Sequence, residues 1–542
     1  MTTAAGQDPQ RITWRVLAAA GCLFLATAFV RYLSLTGFSN DHYQYLAGAQ
    51  QMLMGELPTR DFVDPGQPLM YTMSAAAQLL LGRTLLAEAV MTSLAFGLAA
   101  ACVAIAGWQV SRTVAVGVIA SVVSIAAFPR PSAYPEALLY AAVPLAISAW
   151  LRSPSHVRLV APALLVAIAF LFRHDHGVYL AAAAIAAILL TPPTDRRTRR
   201  IRVSVFCGLV VLMLVPYLAF VQSQPGLWQY AVSSLTFSSR EADRTQLHVG
   251  MIERGSQAWL FYGVHALSLV AAAGVWLEHR RRSSDVPIAA SLVVSAVLVN
   301  MNFLREPLAA RLPDVMVPAV LLGAWLTGKA LRIQSVVPRV AAGACLVLLW
   351  SGGMAAVSEV SRAREHLHRT DLWLGVGQVP RLLSEKTAQL TARFSRHQLP
   401  DGRLIPLFPF FDYLERCSTK RHRLLVAGNA PEIYVFAQRP FAAGHSSFIA
   451  GYYESDADQR RLLARVERQV VAFTLVLSDQ YDDWRRSFPE LDTFVGARFR
   501  QLTEIPVDAE RSIRVLVHTG LPPSRVDQAT GWPCFTRHDG GT

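Results

Sequence analysis

The sequence is poor in charge: 16% of its 542 residues are Asp, Glu, Lys or Arg, against roughly 25% in an ordinary soluble protein. That shortage excludes a conventional soluble enzyme. Lysine is almost missing. Only Lys329, Lys386 and Lys420 occur among the 51 basic residues, so arginine carries nearly all the positive charge. The net charge of +13 does not point to nucleic acid, because the basic residues sit in short clusters between apolar runs, where the positive-inside bias of membrane proteins places them. The six cysteines lack metal-ligand spacing: Cys22, Cys102, Cys207 and Cys345 fall in apolar runs, while Cys417 and Cys534 lie far apart in the C-terminal third. No zinc site follows from them. That third also lacks a glycine-rich phosphate loop, which removes the usual signature of nucleotide binding. No internal repeat stands out.

What is abundant is apolar sequence, 53% of the chain, in runs that recur from Ala18 to Met354 at about the 20-residue length of a membrane span. Arg11 and Arg15 precede the first, which extends to about Leu35 with no obvious cleavage site after it. Further spans are expected near 84–107, 113–128, 136–151, 157–172, 177–190, 201–221, 259–277, 286–304, 314–330 and 337–357. Two arginine clusters, one from Arg196 to Arg202 and one from Arg280 to Arg282, belong on the cytoplasmic side. Counting from them sends the final span outward and places 37–67 outside. The fifteen-residue stretch Pro68–Gly82 would invert the count if it crossed, so it is read as not fully crossing, which gives eleven spans within a range of about 11 to 13.

The expected fold is therefore mostly α. Residues 1–357 form a polytopic transmembrane helical bundle with an outer acidic loop at 37–67, and 358–542 form a small extracytoplasmic α/β domain. In the latter, RLLVAG, APEIYVFAQ, QVVAFTLVLSD and SIRVLVHT alternate strand-like and helix-like pieces. Cys417 and Cys534 could be oxidised in such a compartment.

The segment SNDHYQYLAGAQQMLMGELPTRDFVDPGQPLMY holds the most informative residues. Ser39 or Asn40 can cap a helix with Tyr45, Leu46, Ala49, Met52 and Leu53 on its apolar side and Gln44, Gln50 and Gln51 opposite, stopped at Gly55. Such a helix lies in the membrane interface. Asp41 would stand at its positive end, followed by Asp61 and Asp64, with Pro65 and Pro68 stiffening the return. Three carboxylates at headgroup depth suit activation of a hydroxyl or the holding of a cation. Each also has a plain structural role: Asp41 as a cap, Asp61 as the partner of Arg60, Asp64 as the opener of a proline turn.

The order D-x-x-x-Y from Asp41 to Tyr45, then A-x-x-x-x-x-G from Ala49 to Gly55, then RDFVDPGQPLMY, resembles the first outer loop of GT-C membrane glycosyltransferases. That group includes the protein O-mannosyltransferases and the aminoarabinose transferases of lipid A. The likeness covers residues 10 to about 190 and, beyond that, architecture alone. It implies an inverting transfer of a sugar from a polyprenyl-phosphate donor to a hydroxyl of a lipid, a cell-envelope glycan or a protein, on the extracytoplasmic face of the bacterial inner membrane. It implies Asp41 as general base and Asp64 as the second acidic position, with Asp61 its competitor, and Tyr45 within the motif. No cofactor is required; a divalent cation held by Asp61 and Asp64 is a second reading. Some relatives place a lysine before the proline-leucine pair for the donor phosphate, whereas Gly66 and Gln67 stand here. The phosphate contact then falls to Arg60, Arg173, His174, Arg305 or Arg311, since guanidinium offers two donors in one plane. Arg173, His174, Asp175 and His176 form the cluster FRHDHG, for which phosphate or sugar contact, metal ligation and interfacial snorkelling are all open. Glu136, at another outer span end, is a candidate for a sugar-hydroxyl contact or for stabilising its own helix.

The segment 222–258, with Glu241, Asp243, Arg244, His248 and Arg254, reads as a long outer loop that helps to cover the site. The rival function is a secondary transporter or flippase of an envelope lipid or sugar precursor. It predicts internal repeats and ionisable residues in mid-span, whereas the acids here crowd one loop.

Overall fold

The computed structural model describes residues 13–191, 195–248, 255–280, 283–305, 311–392 and 405–536, without the side chains of 241–248 and 305. Among the described residues, fourteen α-helices come first: α1 Trp14–Ser34, α2 Asn40–Leu53, α3 Pro68–Leu81, α4 Leu85–Ser111, α5 Val114–Ala126, α6 Tyr134–Arg152, α7 Val160–Phe172, α8 His174–Leu190, α9 Arg196–Ser223, α10 Leu227–His248, α11 Gly255–Arg280, α12 Val286–Arg305, α13 Val317–Ala330 and α14 Val336–Val360. Each of the eleven expected spans coincides with one of them. Among the described residues, α1, α4, α6, α9, α11, α12 and α14 are long and apolar enough to cross a bilayer, and α5, α7, α8 and α13 are shorter apolar helices. The protein is an integral membrane protein, mostly α-helical. The stretch at 68–82 becomes α3, whose 14 residues reach about 21 Å at 1.5 Å per residue, less than the roughly 30 Å of a hydrocarbon core.

Two compact units make up the chain, and neither is contiguous. The first is Met1–Ser34, Ala89–Ala219 and Ala242–Leu383; the second is Leu35–Glu88, Phe220–Glu241 and Ser384–Thr542. A single cut at 357 thus misses that the acidic segment belongs with the C-terminal residues.

In the first unit α8 packs against α7 and α12. Small residues permit the approach: a Cβ on Gly177 would stand 2.6 Å from the backbone nitrogen of Phe170, the kind of close helix contact that membrane bundles build from glycine and alanine. Arg31 of α1 lies between the rings of Phe96 and Phe128 and donates through Nη2 to the Pro129 carbonyl at 2.6 Å, contacts that partly offset the cost of burying its charge.

The second unit is built on a mixed sheet of order β1-β2-β4-β3, with β1 (Arg423–Ala427) parallel to β2 (Val471–Leu477), and β4 (Ser512–His518) antiparallel to both β2 and β3 (Phe499–Pro506). All seven residues of β2 are buried, as a central strand requires, and β4 alternates buried and half-buried positions. APEIYVFAQ supplies a short helix, Glu432–Ala437, after the turn that follows β1. Leu425, Val476, Phe448, Trp484, Phe488 and Leu491 share one core cluster. A disulfide joins Cys417 to Cys534, 117 residues apart.

The same unit takes in α2 and α3. Ser39 is the N-cap position of α2 but makes no side-chain capping bond. The glutamine side of α2, expected to face solvent, is buried: Gln50 donates to the Val435 carbonyl at 3.3 Å, Gln51 to the Phe441 carbonyl at 3.2 Å, and Gln44 to Ser447 at 3.3 Å. The C-terminal residues offer these amides carbonyl and hydroxyl partners, so the helix is not a one-sided interfacial helix. Gly48 lets α2 meet α3, because a Cβ there would fall 2.8 Å from Tyr71 Cε1. Beyond it, Arg423 pairs with Glu56, and the Val63 amide donates to the Gly444 carbonyl at 3.0 Å. The segment expected as a long loop at 222–258 instead contains α10, with 249–254 and the side chains of Glu241, Asp243, Arg244, His248 and Arg254 outside the described residues.

Candidate functional site

The predicted site residues divide between the two units. In the second, Asp41 is the second residue of α2, in the first turn, half-buried. Unpaired backbone N–H groups at a helix start favour negative charge there. The next residue, His42, is fully buried, stacks on Phe38 at 4.3 Å and places Nε2 2.8 Å from Glu88 Oε2. This ionisable pair fixes the beginning of α2 beneath Asp41. It was missed in the sequence, where its signal is Glu88 as the one acidic residue of the apolar run 84–107. Tyr45, one turn after Asp41, meets Tyr71 edge-on at 6.0 Å, and Tyr71 meets Phe62 at 5.4 Å. An aromatic wall thus stands beside the first turn of α2.

Asp61 takes its structural reading. Its Oδ2 accepts from the Leu57 amide at 2.7 Å and from Arg60 Nε at 2.8 Å, and Arg60 donates further to the Gly55 carbonyl at 3.0 Å. Asp64 is different, with 6% of its surface exposed. Its Oδ1 accepts from the amides of Gly66 at 2.9 Å and Gln67 at 2.7 Å, closing the turn that starts α3, and its Oδ2 accepts from Tyr230 of α10 at 3.4 Å. Burial pushes the Asp64 carboxyl up to about 6, against the downward pull of the two amides and the tyrosine. Among the described residues, three or more metal-ligating side chains converge only at Cys417, Asp527 and Cys534, where the cysteines are disulfide-bonded.

A pH effect follows for Asp64. Because its folded value lies above the ordinary carboxyl value of 3.8, the folded protein holds more protons than the unfolded chain between the two. Its contribution to stability is therefore full below the ordinary value and is lost as pH rises to about 6. Asp64→Asn keeps the acceptor that closes the turn and removes the charge. The variant is expected to match the wild type in melting temperature near pH 4 and to exceed it at pH 7.5. Coincident melting curves across that range would contradict the assignment.

In the first unit, Arg173 precedes α8 in extended conformation and grips Asp175 with two bonds, Nε to Oδ1 at 3.2 Å and Nη2 to Oδ2 at 2.8 Å, while Nη1 reaches Glu136 Oε1 at 3.4 Å. His176 Nδ1 lies 2.9 Å from the Tyr140 hydroxyl, and its Nε2 lies 4.0 Å from both Glu136 and Asp175. His174 turns elsewhere, stacked on Phe170 at 4.2 Å and edge-on to Tyr217. The two histidines of FRHDHG therefore do not converge on one ion with Asp175.

Glu136, Arg173 and Arg311 instead share a small polar cavity with His176, Asn302 and Asp314. Asp314 is held by Arg130, whose Nε donates to Oδ2 at 2.9 Å and whose amide donates to Oδ1 at 2.9 Å. Arg130, Asp314 and Asn302 were missed by sequence reasoning, and only the rarity of an acid at a span end could have flagged Asp314. Arg305 ends α12, and its side chain lies outside the described residues.

A bundle of apolar helices, an acidic helical segment after the first of them and a C-terminal α/β module define a GT-C-like membrane fold. Among solved structures, the chain matches the crystal structure of ArnT from Cupriavidus metallidurans bound to undecaprenyl phosphate. The match has a TM-score of 0.50 and 14% sequence identity, and it covers 92% of this chain and 97% of that one. At this identity the likeness establishes the fold. No family model and no curated protein matches the sequence.

Proposed function

We propose that the protein is an inverting glycosyltransferase that moves a sugar from a polyprenyl-phosphate donor to a hydroxyl on the extracytoplasmic face of the bacterial inner membrane. The observation that carries this reading is an acidic residue in the first turn of the helix that follows the first apolar helix, in a chain whose fold matches ArnT over nearly its whole length. Asp41 takes the proton of the acceptor hydroxyl as that oxygen attacks the anomeric carbon. The bond from that carbon to the phosphate oxygen breaks, and the electron pair leaves with the polyprenyl phosphate. A phosphate leaves readily, so the reaction needs no second, acidic carboxyl of the kind used by glycoside hydrolases. Asp64 orients the acceptor, with Tyr45 forming part of the wall beside it.

Arg311 and Arg173 are assigned to the donor phosphate, where prearranged cations offset the charge of the leaving group. Arg60, which donates to Asp61 and Gly55 as Arg173 donates to Asp175 and Glu136, is the third candidate. The acceptor is a lipid, a cell-envelope glycan or a protein. No cofactor is required in this reading. The outer location is supported by the arginine clusters at 196–202 and 280–282 and by the disulfide, which suits an oxidising compartment.

The test is transfer of labelled sugar from a panel of polyprenyl-phosphate donors to a host membrane extract by purified protein, with and without EDTA. Label is expected in a product from at least one donor, at the same rate in EDTA. A rate abolished by EDTA and restored by Mg²⁺ would reinstate a cation at Asp61 and Asp64. Folded protein that labels nothing from any donor would overturn the reading and favour transport.

A further inference from the structure

A second cavity lies inside the second unit, between the C-terminal half of α2, the end of α3 and the helix Glu432–Ala437. Its volume is about 170 Å³, room enough for one sugar ring. Gln50 and Gln78 line it, with 7% and 4% of their surfaces exposed. The Gln50 amide is oriented by its donation to the Val435 carbonyl, and its Oε1 has no partner. Gln78 Nε2 and Thr84 Oγ1, also at the cavity, are buried without partners as well. Three orphaned polar atoms around one space are unusual, because nearly all buried polar groups in folded proteins are hydrogen-bonded.

We propose that this cavity binds the ring of an acidic sugar. An acceptor on Gln50, a donor on Gln78 and a hydroxyl on Thr84 match groups that both donate and accept, which are ligand hydroxyls. Leu46, Val435 and Phe436 supply the apolar wall on which the C–H face of a pyranose rests. Among the described residues the polar lining consists of amides, a hydroxyl and one guanidinium, a set that suits a hydroxylated ligand. Arg83, exposed at its edge, is the single charge among the described lining residues and selects a carboxylate or phosphate substituent.

Gln50 stands nine residues beyond Asp41 on the same helix, about 13 Å along its axis at 1.5 Å per residue. The cavity therefore anchors a sugar that is not the one reacting. Combined with the proposed transfer, on which this last step rests, it holds a distal part of an anionic glycan or glycolipid acceptor.

The test is saturation-transfer NMR and calorimetry on the full-length protein in detergent, with glucuronate, glucose 6-phosphate and glucose as probes. One of the two anionic probes is expected to bind at least about tenfold more tightly than glucose, and which one does so separates a uronic acid from a sugar phosphate. Arg83→Gln, at an exposed position, should erase that preference. Gln78→Leu should weaken all three probes. Binding should persist in Asp41→Asn, whereas probe binding by a wild-type protein that transfers no sugar from any donor would sink the transferase reading alone. Absence of binding by every probe, affinities unchanged in both cavity variants, or equal affinity for glucose and the anionic sugars would overturn the proposal.

Discussion

Asp41→Asn is expected to lower the rate of sugar transfer by at least about a hundredfold while leaving the protein folded. A positioned general base contributes about 10² to 10⁴ in rate, and asparagine keeps the shape of aspartate without its basicity. The buried contacts that fix the start of α2, His42 to Glu88 and His42 to Phe38, do not involve the Asp41 carboxylate. The loss should appear in kcat more than in KM, as for an interaction made mainly in the transition state, with the melting temperature recorded beside it to show that the variant is folded. Equal rates in the two proteins would remove Asp41 from the chemistry. Asp64 would then come first among the alternatives, because burial brings its carboxyl to about 6, near the operating pH at which a general base works best. Asp61, already committed to Arg60 and the Leu57 amide, would come last.

Arg173→Met should strongly destabilise the first unit. The guanidinium is 15% exposed and lies between Asp175, 18% exposed, and Glu136, 9% exposed. Removing one member of a buried charge network leaves its partners unpaired and typically costs about 3–5 kcal/mol, whereas replacing the whole network costs far less. The triple variant, Arg173→Met with Glu136→Gln and Asp175→Asn, should accordingly recover most of the lost melting temperature. If Arg173→Met melts within about a degree of the wild type, the network is solvated and carries little energy. If the triple variant is no more stable than the single one, the loss comes from packing of the arginine stem.

The bundle was legible because hydropathy dictates it. Eleven apolar runs gave eleven helices, seven of them long and apolar enough to cross a bilayer, because a helix satisfies its backbone within one segment. The buried strands β1 and β2 and the alternating β4 were equally visible. Strand β3, FRQLTEIP, was not: it is an edge strand whose first residue alone is buried, so the sheet imposes almost no pattern on its sequence. Helix α10 carries LWQYAVSSLTFSSREADRTQLH, whose polar and apolar residues balance, and it read as a loop. Asp41 and Tyr45 could be singled out because their spacing is local. The partnership of Glu56 with Arg423, and of Gln50 and Gln51 with Val435 and Phe441, joins positions almost four hundred residues apart, which no short-range pattern encodes. The polar cavity around Glu136, Arg173 and Arg311 was half legible: its members from 136, 173 and 311 stood out, and Asp314, with the Arg130 that holds it, did not.

The burial of the α2 glutamines against the C-terminal residues bears on how such a chain can be inherited. A segment whose amides find their acceptors only in the last third of the sequence cannot be passed on without that third, nor can the tail be traded as a cassette between otherwise similar membrane enzymes. Fusions and truncations that treat the tail as an accessory would strand Gln50, Gln51 and Glu56 together and disturb the helix that carries Asp41. The two parts should therefore be gained, lost and varied as one heritable block, although hundreds of residues separate them in the gene product.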